Sequence, residues 1–106
     1  MPEQHLFISL DSDEVPFRVQ LREVQEIIRL EGPFADLDPT APTVPVRSRT
    51  VRIVDPSRHL GTRSERASSL LVFESGHRLH ALPVVRVDRE PRPGFRELRL
   101  ADLATP

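Results

Sequence analysis

The chain has 106 residues, enough for one domain or for two very small lobes on a common core. Fifteen basic and sixteen acidic residues leave a formal charge of -1, without the basic excess of a dedicated nucleic-acid binder. The absence of Cys excludes a disulfide framework and a thiolate metal site, and five Phe with no Trp or Tyr leave a core of Val, Leu and Ile.

His5–Leu10 is a short β-favouring run, and Asp11–Glu14 is turn chemistry, because Asp and Ser side chains bond back to nearby backbone. Val15–Val19 alternates, with Val15, Phe17 and Val19 on one face, so the two runs predict a hairpin. Pro16 donates no ladder bond and must face an edge or a bulge. Leu21–Leu30 fits both a helical and an extended pattern; a short helical turn at Gln20–Glu23 followed by a strand is the expected compromise. Gly32-Pro33 ends it, and Pro33–Pro45, with four of the eleven prolines, is expected to be irregular and mostly unpaired.

Thr50–Val54 alternates as a strand, and Asp55-Pro56 predicts an N-cap and one helical turn over Pro56–Leu60, stopped by Gly61. The polar stretch 62–68 reads as a linker between two halves. Ser69–Glu74 and Arg78–Leu82 flank Ser75-Gly76-His77 as a hairpin. Val84–Val87 and Phe95–Leu100 are the remaining predicted strands, separated by a Pro91–Gly94 loop, and Ala101–Ala104 is a last helical turn. About eight short strands with turn signals between them make an all-β chain, a small barrel or sandwich rather than βαβ units. No apolar run approaches the ~20 residues of a membrane helix, and Met1–Gln4 leads straight into strand. The expected location is the cytoplasm, without membrane insertion.

Chemistry-bearing patterns are sparse. His77 and His80 point to opposite faces of an extended strand, and His5 and His59 have no partner at ligand spacing. Asp11, Asp13 and Glu14 lack the Gly and distal Glu of a calcium loop. The sequence G-x-S-x-G is missing and the glycines are scattered, so neither a nucleophile elbow nor a phosphate cradle is expected. The chain therefore reads as a non-enzymatic protein without cofactor or metal.

Several segments, in order, resemble the CheW-like family of chemotaxis coupling proteins. Arg22–Ile27 is similar to that family's Val-Gln-Glu-Ile segment, and Val51–Asp55 to its Val-Pro-Ile-Val-Asp strand. Pro56–Gly61 takes the place of its short helix, Leu70–Val87 resembles its later hairpin, and Leu98–Leu103 its closing strand and turn. Pro45-Val-Arg-Ser48 stands where the family carries Asn-Leu-Arg-Gly, so Arg47 is kept while the Asn and Gly are lost. The stretch between Glu90 and Phe95 is short for the family, as in its shortened Frz-type variant.

The resemblance implies two small SH3-like β-barrel lobes sharing a core, the second shortened, in a single domain over residues 1–106. It implies an adaptor of a two-component chemosensory pathway that binds a methyl-accepting chemoreceptor. Glu26 and Arg47 match positions at the receptor-binding surface, with Val24 and Ile27 as apolar neighbours. Docking of the histidine kinase regulatory domain is expected to be weak or absent, because the prolines of Pro91–Gly94 shorten strands and block pairing at that edge. The alternative is a small β-barrel nucleic-acid-binding module. It would need stacking aromatics on a basic groove, whereas Phe7, Phe17, Phe34, Phe73 and Phe95 lie mostly at core-like positions.

Overall fold

The computed structural model describes residues 4–11, 15–61 and 66–104. Among these residues the chain is all-β apart from single helical turns. Nine strands run in chain order: β1 (His5–Ser9), β2 (Phe17–Gln20), β3 (Glu26–Arg29), β4 (Thr43–Val46), β5 (Arg49–Ile53), β6 (Ser69–Ser75), β7 (Arg78–Val84), β8 (Arg86–Asp88) and β9 (Arg96–Glu97). The helical pieces are 3₁₀ turns at Leu21–Glu23 and Gly32–Phe34, with α1 (Ser57–Leu60) and α2 (Leu100–Leu103). One sheet has the order β8-β1-β2-β9 and the other the order β3-β6-β7-β5-β4, and one of the two is a half-barrel.

Period-two alternation on the β6–β7 hairpin organises the molecule. Leu71, Phe73, Leu82 and Val84 face a first core, where they meet Leu6, Ile8, Phe17 and Val19 of the smaller sheet and Leu100 and Leu103 of α2. Leu70, Val72, Leu79 and Ala81 face a second core, closed by Ile28, Val44, Val46 and Val51. Half-buried Leu30, Phe34, Leu37 and Ala41 cover that second core from the loop between β3 and β4. One sheet thus carries a core on each face, which is why β6 and β7 read as nearly continuous apolar runs.

The hairpin turns are short. Gly76 and His77 join β6 to β7 with φ of 61° and 63°, the left-handed pair that a two-residue turn of primed type I needs. Arg47 and Ser48 join β4 to β5 in the same way, with φ of 48° and 67° and no glycine. That backbone is sterically costly for both side chains.

Several elements differ from the sequence expectation. Pro45 lies inside β4, within the stretch expected to stay largely unpaired. Ile53 N–H donates to the Pro42 carbonyl, so the ladder alternation leaves Pro45, opposite Thr50, at a position that makes no inter-strand bond. Because β4 is an edge strand, the missing N–H is harmless there. The last predicted strand shrinks to Arg96–Glu97, since Leu100 already begins α2. Pro83 does not interrupt β7, which runs on to Val84, and the break falls at Val85, before β8.

Val15 is exposed instead of sharing a face with buried Phe17 and Val19. Asp55 Oδ1 accepts the Ser57 N–H at 3.0 Å, but helical hydrogen bonding starts from Pro56. Of the expected linker 62–68, residues 62–65 lie outside the described residues, as do Ser12, Asp13 and Glu14 of the first turn. Ser68 belongs to the sheet rather than to a linker: its N–H donates to the Val84 carbonyl and its own carbonyl accepts from Leu30. No helix among the described residues is long and apolar enough to cross a membrane.

Candidate functional site

The β3 strand begins with an irregularity. Gln25 N–H donates to the Val72 carbonyl at 2.7 Å, although Val72 is already the partner of Glu26. Two residues therefore oppose one, as in a β-bulge. The extra residue resets the alternation, so Val24 and Ile27, three apart, both pack against the first core as half-buried side chains. Glu26 and Ile28 lie on the other face, Ile28 in the second core and Glu26 at its rim.

Arg47 reaches that rim from the β4–β5 turn. Its guanidinium forms an ion pair with the Glu26 carboxylate and lies 5.6 Å from the centre of the Phe34 ring. The left-handed backbone at 47 and 48 aims the side chain; strain of this kind, of order 1–3 kcal/mol per residue, persists where surroundings over-determine it. The Arg47 side chain is 62% exposed and that of Glu26 is 31% exposed. A pair this open contributes under about 1 kcal/mol to stability. Its charge and its planar fork remain presented to solvent.

The four sequence-derived candidates thus fall into two pairs. Glu26 and Arg47 touch; Val24 and Ile27 sit together on the opposite face of β3. The faces meet at the free edge of β3, where Ile27 also borders the shallow depression holding Glu26, Phe34 and Arg47. Phe34 and Arg29 belong to this surface and were not singled out from sequence. Phe34 lies in a proline-rich stretch without periodicity, and nothing in sequence links it to Arg47.

A second polar cluster lies on the outer face of the smaller sheet. Phe7 and Ser9 point away from the first core, into which Leu6 and Ile8 project. Residues 89–95 fold back across them. Phe95 packs edge-on against Phe7 at 5.5 Å, and Arg92 donates to Ser9 Oγ at 2.8 Å. Arg18 stacks 4.4 Å from the centre of the Phe95 ring and pairs with Glu97. The segment read from sequence as a shortened edge is a strap tied down by an aromatic pair and two arginines.

His80 is buried, stacks on Phe73 with ring centres 5.5 Å apart, and places Nε2 3.2 Å from the Ser75 carbonyl, while His77 occupies the β6–β7 turn. Among the described residues no three His, Asp or Glu side chains gather as metal ligands. The Asp38 carboxyl is held below the usual carboxylate range by the Thr40 hydroxyl (2.6 Å) and the Thr40 backbone N–H (2.9 Å). That contact closes a turn between Leu37 and Ala41, both of which pack on the second core. Comparison of the chain with protein-family models, with characterised proteins and with solved structures returns no match.

Proposed function

We propose that the chain is a non-enzymatic adaptor of a bacterial chemosensory pathway, a shortened CheW-like coupling protein that binds a methyl-accepting receptor in the cytoplasm. The observation that carries this reading is the Glu26–Arg47 pair. Two residues 21 apart in sequence meet on an exposed surface through a strained turn, at the positions the resemblance marks for receptor contact. An arginine fork half released to solvent and backed by an aromatic ring is the kind of group that anchors interfaces. Two cores on one sheet supply a rigid body with separate faces, as an adaptor requires, and fit two barrel-like lobes that share strands.

Kinase docking is reduced or lost in this reading. Its support is the smaller sheet, whose edge strands β8 and β9 span three and two residues and whose outer face lies under the 89–95 strap. An interface of over ~1,000 Å² has little open sheet to use there. The nucleic-acid reading gains no support, because Phe7, Phe17 and Phe73 are buried and Phe95 is engaged by Phe7 and Arg18. Calorimetric titration tests the proposal directly, with a soluble cytoplasmic hairpin of a methyl-accepting receptor from the same genome in one cell. The cognate kinase's regulatory domain fills the other. Micromolar receptor binding with little or no kinase binding is expected; micromolar kinase binding would refute the accessory role, and absent receptor binding would refute the adaptor reading.

A further inference from the structure

The β3 strand leaves the five-stranded sheet with an open edge. Leu30 N–H donates to the Ser68 carbonyl, which fixes the alternation along the β3–β6 ladder. Glu26 and Ile28 turn their backbone groups toward β6, so Ile27 and Arg29 turn theirs outward. Those N–H and C=O groups have no backbone partner among the described residues. The other sheet edges are guarded: β4 carries Pro45, while β8 and β9 are three and two residues long.

Between the β3 edge and β8 lies a groove of about 630 Å³. Leu6, Ile27 and Val87 form its apolar floor, and Arg29, Arg86 and Arg89 stand along its rim. Among the described residues Glu31 is the one carboxylate lining it, and its pairing with Arg29 is loose at 4.0 Å, with both side chains more than 70% exposed. Arg86 is held by Asp88 at 2.7 Å, whereas Arg89 has no carboxylate partner among the described residues. A chain of net charge -1 thus concentrates positive charge beside its least protected strand edge.

We propose that the open edge of β3 takes up an extended acidic peptide as an added strand, whose carboxylates meet Arg29, Arg86 and Arg89 and whose apolar side chain fills the floor at Ile27. Outward amides and carbonyls spaced along a strand match a peptide backbone, and alternate side chains of that strand enter the groove. A nucleic acid would satisfy the arginines but leave the Ile27 and Arg29 backbone groups unmatched, and among the described residues the groove offers no aromatic ring for a base. This site shares Ile27, Arg29 and Glu31 with the depression at Glu26, Phe34 and Arg47 but does not use the Glu26–Arg47 pair, and it does not rest on the receptor reading.

The probe is a capped, fluorescein-labelled octapeptide that alternates Thr with Glu and carries one central Val in the Glu row. Fluorescence anisotropy is expected to show micromolar binding, and amide hydrogen exchange is expected to slow at Ile27 and Arg29. Arg89→Glu weakens binding by about tenfold while circular dichroism stays unchanged. The same peptide N-methylated at every amide keeps its charge but fails to bind. Absence of binding, equal binding of the N-methylated peptide, protection at another edge, or equal affinity for an oligothymidylate of matched charge would each overturn the proposal.

Discussion

The β6–β7 and β4–β5 hairpins both close through two left-handed residues, but only the first supplies a glycine, Gly76, at its turn. The first hairpin is buried on both faces and joins the two cores; the second is an edge ribbon whose turn stands in solvent. The hairpin that holds the fold together has the less strained turn, with one left-handed side-chain-bearing residue, His77, against two. The one that carries the candidate site has a strained turn, and its strain positions Arg47 over Glu26 and Phe34. The main core and the candidate site are therefore separable along one sheet, and substitutions in the two hairpins should report on different properties.

The largest expected effect lies in the first hairpin. Phe73→Ala empties a side chain that is 1% exposed at the centre of the first core, and should cost about 3–5 kcal/mol in urea unfolding. Val44→Ala in the second hairpin removes two methyl-sized groups and should cost about 1.6 kcal/mol. Equal losses would show that the hairpins share the structural burden and would break the comparison.

The turns should respond with opposite signs. Ser48→Gly relieves a left-handed serine and should raise stability by about 1 kcal/mol, whereas Gly76→Ala creates such strain and should lower it by a similar amount. A neutral Ser48→Gly would mean that the 47–48 turn is not strained.

The smallest effect concerns the loop over the second core. Asp38 has its folded pKa lowered by Thr40, so its contribution is full above the unfolded carboxylate's pKa and is lost as pH falls through the folded value. In Thr40→Val the Asp38 titration midpoint, followed by carboxyl carbon NMR, should move up toward the ordinary carboxylate value. An unchanged midpoint would remove the Thr40 contact from the account.

Sequence patterning made the first hairpin legible and left much of the second dark. Alternating Leu, Val and Phe around Gly76 fix both strands and their turn, because a two-faced buried strand has few alternatives. Pro45 concealed β4, since proline reads as a breaker unless its edge position is known. Arg47 and Ser48 carry no turn signature, so their left-handed backbone was invisible. Leu98 and Leu100 alternate like strand residues, yet both are buried because a strand ends and a helical turn begins between them. Within the site, the proximity of Glu26 and Arg47 was legible only through the resemblance. The Phe34 contact and the bulge that sets Val24 beside Ile27 depend on long-range register, which a single sequence does not display.

On the proposed function, the β4–β5 turn presents Arg47 as a receptor anchor. The most direct test is calorimetric titration of Arg47→Glu against the receptor's cytoplasmic hairpin, beside the unmodified protein. Stability should change by less than about 1 kcal/mol, because the Glu26 pair is exposed. Receptor affinity should fall by ~2 kcal/mol or more, roughly thirtyfold, if the guanidinium is desolvated in the complex. A folded Arg47→Glu protein that binds the receptor with unchanged affinity would contradict the account.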